Sequence, residues 1–367
     1  MGGYRVWSVS AKTWGDRVEL SPQSTSWERT FNHGAGGSSA LVLSEPDVAA
    51  TAGLNDSYPG QRAIVVDYDN VVVYAGIIWE AHYDRDTQNL KLTHEDIWSL
   101  WDARLISEVR TEDIVNWEKT YSKLEYDTIV KRIIQLAVAG SGRGVPMVYE
   151  DDYTGGRSRT YNGYNLDTAL SAMEEIMDLA DGPDVDFRPE WDGSGGLRFT
   201  LRTGDLSLNT IEVNFAAAET PAEGLWIKTS ARDVTTQMFA VGEGSGKKTA
   251  KSPGMLVRES ASANNAAYPA LERVEQFKNI KKGPELYDQA ASALAATNSA
   301  VRQAGFRLKL DSPILGNLWE LRPGTIVRWY ISGDPYFTTG WRDWRVLKYS
   351  GDITSDFVDI EFQPKGG

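Results

Sequence analysis

The chain has 367 residues, a net charge of −13, 13 Trp, 16 Tyr and no Cys. That length gives about two to three domains, and a hydrophobic content of 41% excludes a disordered chain. The missing cysteine excludes disulfides, thiolate metal sites and cysteine nucleophiles, while the acidic balance excludes a basic face that grips duplex nucleic acid.

Residues 1 to about 105 read mostly as strands. Arg5-Val6-Trp7-Ser8-Val9 alternates, followed by runs at 17–20, 27–31 and 40–43. Turn signals at this spacing suit a compact barrel or sandwich. Residues 33–39, His-Gly-Ala-Gly-Gly-Ser-Ser, form a loop between strands. The period then changes. Ile129, Val130, Ile133, Ile134, Leu136 and Ala137 recur at helical spacing, and Gly140-Ser141-Gly142 stops that helix. Asn165 is the expected cap of a second helix carrying Leu166, Leu170, Met173, Ile176, Met177 and Ala180 on one face, ended by Gly182-Pro183. Strands at 185–189 and 197–201 complete a small α+β unit. Strands return over 210–242, and 243–270 reads as a loop rich in Gly, Ser, Ala and Asn. A third helix is expected over 284–303, with Pro284 in its first turn, followed by a strand at 306–310.

The two ends of the chain echo each other. Pro59-Gly60 precedes an apolar run, a turn at 67–70, a second run, then Gly76 and Trp79; Pro323-Gly324 precedes a matching series ending in Gly340 and Trp344. The glycine spacing is equal, 76 − 60 = 340 − 324 = 16. Each copy continues through another strand, an acidic turn and a last strand. The sequence therefore predicts two related small β modules. The expected fold class is α+β: two small β-barrels with helix-containing α+β insertions. The first barrel covers 1–108 and the helical α+β domain 109–208. The second barrel is built from 209–242 and 306–367, interrupted by an insertion at 243–305 that carries the Gly-rich loop and a helix.

Patterns that carry chemistry are weak. Val241-Gly242-Glu243-Gly244-Ser245-Gly246-Lys247-Lys248-Thr249 looks like a phosphate loop, but Val241 stands where the first Gly belongs and Lys248 follows Lys247. A glycine-rich turn is the expected reading. His33, His82 and His94 lack metal-ligand spacing. The acidic candidates for acid–base chemistry are Glu150-Asp151-Asp152, Glu174-Glu175, and Asp181 with Asp184 and Asp186; adjacent acids on a helix face read as solvated, and Asp181-Gly182-Pro183-Asp184 lacks the ligand spacing of a calcium loop. No Gly-x-Ser-x-Gly elbow occurs. Trp79, Trp98, Trp101, Trp329, Trp341 and Trp344 suit a core or subunit interface, with a carbohydrate platform as the alternative. No catalytic, cofactor-binding or metal-binding residue is assigned, and the chain is expected not to be an enzyme.

The order of several segments resembles the tail hub (baseplate hub) proteins of tailed bacteriophages, in particular minor tail proteins of actinobacterial siphophages. The segments are the Val71 to Ile78 strand with Asp96-Ile97-Trp98-Ser99-Leu100-Trp101-Asp102-Ala103-Arg104, then Asp184 to Trp191. Val241-Gly242-Glu243-Gly244, the helix from Pro284-Glu285-Leu286-Tyr287, and Pro323-Gly324 with the terminal strands follow. The resemblance implies a homotrimer whose six barrels form a pseudo-hexameric ring. It implies a virion protein at the tail tip, made in the host cytoplasm and linking a sixfold tube to a threefold tip. The implied partners are a distal tail protein, a tape measure protein and other tail-tip proteins, with phage DNA passing through unbound. Many relatives carry long C-terminal domains; this chain is expected to stop at the second barrel and to leave host binding and wall lysis to other proteins. The alternatives are a carbohydrate- or receptor-binding tail module and a cell-wall hydrolase. No membrane segment is expected, since no apolar run approaches the ~18 residues a span needs.

Overall fold

The computed structural model describes residues 3–51, 56–179, 181–207, 210–242, 256–258, 267–276, 283–312 and 322–364. The chain divides into two compact units, one formed by Met1–Leu225 with Gly305–Phe362 and the other by Trp226–Ala304 with Gln363–Gly367.

In the first unit, β1 (Tyr4–Ser10), β2 (Val18–Leu20), β3 (Ser24–Thr30) and β4 (Gly36–Val42) are followed by a short helix, α1 (Pro46–Thr51). Next come β5 (Arg62–Tyr68), β6 (Val71–Asp84), β7 (Asn89–Asp96) and α2 (Trp98–Asp102). The strands lie in the order β3-β4-β7-β6-β5-β1-β2. The β5–β6 hairpin closes on Asp69 and Asn70, at φ 53° and 66°. Two consecutive left-handed residues make the tight turn whose twist matches antiparallel strands.

The helical segment contains β8 (Glu118–Leu124), α3 (Tyr126–Val138), β9 (Met147–Tyr149), β10 (Arg157–Asn162) and α4 (Ala169–Met177). The hairpin β11 (Asp184–Trp191) and β12 (Leu197–Gly204) follows it. The cap of α4 is Thr168, not Asn165: the Thr168 side chain accepts from the Ser171 N–H, and the Ser171 hydroxyl accepts from the Thr168 N–H. This reciprocal pair satisfies two donors that the first turn leaves open. Asn165 instead sits in a 3₁₀ turn ended by Leu166 at φ 55°. One core runs through the first strand module and the helices: Val9, Ala63 and Val65 from the strands share it with Ile133, Met173 and Phe199.

The remaining elements are β13 (Thr210–Asn214), β14 (Ala222–Ser230), β15 (Gln237–Val241), β16 (Leu256–Arg258), β17 (Glu272–Gln276) and α5 (Gly283–Thr297). The chain closes with β18 (Val301–Lys309), β19 (Ile326–Ile331), β20 (Gly340–Asp352) and β21 (Phe357–Pro364). In the second unit β15 lies between β16 and β17, and Met238 and Ala240 of β15 pack under Leu286, Ala290 and Leu294 of α5. Two expectations are corrected here. The segment read as loop carries β16, and the third helix ends at Thr297 because the chain turns into β18 from Val301.

The two ends do build alike. The second module has the order β14-β18-β21-β20, with β19 on β20 and β13 on β19. Element for element this is β3-β4-β7-β6-β5-β1, except that β1 runs antiparallel to β5 while β13 runs parallel to β19. Hydrogen bonds fix the register. The Gly60 N–H donates to the Ile78 carbonyl, and the Gly324 N–H to that of Val346. The later span is four residues longer, 346 − 324 = 22 against 78 − 60 = 18. The equal glycine spacing is therefore not a structural equivalence: Gly76 corresponds to Trp344, and Gly340 falls at the end of a longer hairpin loop. Beyond that loop the offset holds. Asp84 and Asp352 each use Oδ1 to accept turn N–H groups. Buried Leu90, Leu92 and His94 correspond to buried Val358, Ile360 and Phe362.

Candidate assembly surface

The modules meet along one ladder. Residues 348–352 of β20 pair antiparallel with residues 26–30 of β3, from Lys348↔Thr30 to Asp352↔Ser26. The ladder is bracketed by the Phe31 N–H on the Leu347 carbonyl and the Ile353 N–H on the Thr25 carbonyl. Trp27, buried within it, has glycine on both cross-strand sides, Gly37 and Gly351. A Cβ on Gly351 would stand 2.7 Å from the indole Cζ2. The bare backbone is what lets the ring lie flat across the join, between Tyr4 and Tyr349.

Two residues on, the inward alternation of β3 places Arg29 under the sheet. Its guanidinium donates to Asp186 Oδ1 at 2.5 Å and to the Tyr349 hydroxyl at 2.8 Å. The two charged side chains are 8% and 6% exposed, so the pair ties β3, β11 and β20 together without water. Burial alone would lower the Arg29 pKa, but the adjacent Asp186 carboxylate outweighs it and holds the group above its ordinary value, fully charged. Beside it Arg345 donates to Asp184 at 2.8 Å and lies over the Phe31 ring.

The first module offers the same edge without a partner. β6 pairs with β5 through residue 77 and with β7 along its far half. The other edge of residues 79–84 has no strand against it among the described residues. All six residues are exposed, including Trp79 and Tyr83.

The sequence candidates fall apart as a chemical site. His94 is buried, its ring nitrogens 2.9 Å from the Tyr74 hydroxyl and 3.2 Å from Ser39 Oγ. Burial lowers its pKa to about 3, so it stays neutral. His82 lies on the open edge and His33 in a loop, so the three histidines are not brought together. Asp184 and Asp186 each face their own arginine, Asp181 pairs with Arg157, and Asp152 with Lys131 and Arg132. Among the described residues no cluster of His, Asp or Glu is arranged to hold a metal ion. Residues 243–249 of the glycine-rich stretch lie outside the described residues. An open cleft of about 650 Å³ is bordered by His94 and Ser99. The Ser99 hydroxyl donates to the Asp96 carbonyl at 2.8 Å, so no serine–histidine pair forms there. Of the six tryptophans, Trp98, Trp101, Trp329 and Trp344 are core residues, while Trp79 and Trp341 are exposed at 37% and 51%.

The seam residues Arg29 and Tyr349 were not among the sequence candidates. The available signal was the period-two alternation of β3, which turns Thr25, Trp27 and Arg29 to the same buried side.

This arrangement defines a class: paired strand modules joined edge to edge, with an α+β layer sharing the first core. Solved structures with a similar fold include tail proteins. The chain is similar to the 43 kDa tail protein of prophage MuSo2 from Shewanella oneidensis, with a TM-score of 0.61 and 9% identity over 99% of this chain and 98% of that one. It is similar to the tail protein from Neisseria meningitidis, with a TM-score of 0.58 and 11% identity over 99% and 97%. A third is prophage tail protein gp18 from Listeria monocytogenes, with a TM-score of 0.52 and 9% identity over 98% and 94%. No family model matches the sequence, and no curated protein does. The chain thus shares the fold of these tail proteins along nearly its whole length. No described helix is long and apolar enough to cross a membrane.

Proposed function

We propose that the protein is a structural component of a phage particle, the hub at the tip of a siphophage tail. Three copies, each with two barrels, make a ring of six near-equivalent modules that joins a sixfold tail tube or distal ring to a threefold tip. The observation that carries this reading is the duplicated strand order within one chain, which gives a trimer six similar faces. Its partners are then a distal tail protein, a tape measure protein and other tail-tip proteins. Phage DNA leaves through the ring without specific binding. A net charge of −13 suits such a wall, since like charge keeps the duplex from adhering. The protein acts by assembly and not by catalysis. Electron microscopy of the isolated protein, alone and mixed with its distal tail partner, tests the proposal. Threefold particles with a pseudo-sixfold outline are expected; monomers in both samples, or rings of another symmetry, would refute it.

A further inference from the structure

The duplication makes the open edge of β6 readable. Within the chain, residues 340–345 of β20 pair with β19, and residues 348–352 then pair with β3 on the same side. The offset set by the Asp84 and Asp352 turns places residues 72–77 and 80–84 of β6 in those two roles. The first stretch has its partner, β5. The second stretch has none among the described residues. The strand that covers this edge in the other half of the chain is β3, which flanks β4. The element in the position of β3 is β14, which flanks β18 and ends the sheet among the described residues. The Lys309 N–H donates to the Pro221 carbonyl beside it, and Arg307 reaches Glu223 at 3.2 Å. Among the described residues, each copy of the protein therefore carries one uncovered socket and one uncovered strand of the pair that forms its own internal seam.

We infer that residues 80–84 of β6 take β14 of a second copy as an antiparallel neighbour, repeating between copies the ladder that β20 and β3 make within one. The contact is heterologous, socket to strand, so copies join head to tail. Backbone hydrogen bonds supply the join, as in strand addition at any exposed sheet edge. By alternation between the Leu347 and Ile353 brackets, the odd-numbered residues of β20 turn their backbone groups toward β3. Their counterparts on β6 are Ala81 and Tyr83. Exposed aromatics stand on both faces to be joined, Trp79 and Tyr83 on β6 and Trp226, 40% exposed, on β14. Such residues are enriched where surfaces become buried on assembly. The inference deepens the ring proposed above and rests on it only for the number of copies.

The absence of native cysteine makes the test direct. Tyr83→Cys and Trp226→Cys are prepared as two separate full-length proteins, mixed, and treated with a short bismaleimide. The mixture is expected to give a cross-linked dimer, and neither protein alone should. Adding Ala81→Pro to the Tyr83→Cys protein is expected to lower the yield at least about tenfold, since it removes an edge donor worth about 1.4 kcal/mol. A mixture that does not cross-link overturns the inference. So does a dimer from Tyr83→Cys alone, which would mean two β6 edges pairing with each other. Circular dichroism of the Ala81→Pro protein checks that it folds. Sedimentation separates this inference from the ring: trimers that persist in Ala81→Pro remove the edge pairing and leave the ring. A cross-linked wild-type-like dimer without trimers keeps the pairing and removes the threefold reading.

Discussion

Replacing Arg29 by Met measures what holds the seam. The substitution keeps most of the side-chain volume but removes the donors to Asp186 Oδ1, the Tyr349 hydroxyl and the Phe187 carbonyl. Asp186 is only 6% exposed, and its Oδ2 has no hydrogen-bond partner among the described residues. The variant therefore leaves a buried carboxylate without its hydrogen-bonded partner, with only the longer-range charges of Arg188 and Arg322 to offset its lost hydration. Breaking one side of such a pair costs about 3–5 kcal/mol. Asp186→Leu alone leaves a buried guanidinium without its counter-charge, still donating to Tyr349 and Phe187, and should cost a similar amount. The double variant removes both charges and is expected to be no worse than either single one, which gives a coupling of about 3 kcal/mol or more. Urea unfolding followed by tryptophan fluorescence reads this directly, since Trp27 lies beside Tyr349 at the same join. Single-variant costs below about 1 kcal/mol, or costs that simply add in the double variant, would refute the claim that the pair closes the seam.

Three further outcomes follow from the same geometry. Gly351→Ala should cost about 1–3 kcal/mol through overpacking against Trp27, whereas Gly193→Ala, with open space around it, should stay within about 0.5 kcal/mol; thermal melts of both decide. Trp329→Ala should cost about 3–5 kcal/mol in the same assay, because its ring packs on Phe215, Phe337, Trp344 and Phe362. Burial raises the Asp96 pKa from 3.8 to about 7 and lowers that of His94 from 6.5 to about 3. Between about pH 4 and 6.5 folding takes up one proton at Asp96 and releases one at His94, so these two contributions cancel. Asp96→Asn leaves only His94, and its stability should then fall as pH drops below 6.5, by about 1.4 kcal/mol per pH unit relative to wild type. His94→Phe leaves only Asp96 and should show the opposite slope, stability falling as pH rises toward 7. Urea titrations across this range check both signs; parallel curves for all three proteins would refute the assignment.

Local signals made the strands, α3 and the existence of a repeat legible in the sequence, because turn chemistry and hydrophobic period act over a few residues. The register of the repeat was not legible, since the longer loop after β19 shifts every later residue by four. The cap of α4 was misplaced because Asn165 and Thr168 are both good caps. Thr168 forms the reciprocal pair with Ser171, whereas after Asn165 the chain turns left-handed at Leu166 and no α-helix can start there. The helix before β18 looked longer than it is because Ala300, Arg302 and Gln303 favour helix, and strand pairing overrides that preference. The Arg29–Asp186 pair spans 157 residues of sequence, a distance at which no local pattern speaks.

The covered and open edges have diverged in the direction that their roles require. At the covered edge the sequence Lys348-Tyr349-Ser350-Gly351-Asp352 supplies glycine where an indole must cross, and a buried tyrosine to cap an arginine. At the open edge Glu80, His82 and Asp84 alternate with Ala81 and Tyr83, and neither Pro nor Lys interrupts the run. Pro and Lys are the strongest means by which exposed strands prevent pairing, and this edge carries only the acids Glu80 and Asp84. Such an edge is either an aggregation site or a joint. Head-to-tail addition distinguishes the two by closure, because a repeated contact that turns through a fixed angle ends in a ring, and one that does not grows into a filament. Here the turn per module is already set inside each chain by the β3–β20 ladder. If the contact between copies repeats that ladder, the internal seam dictates the symmetry of the assembly. Variants that loosen the seam, such as Gly351→Ala, should then broaden ring size as well as lower stability.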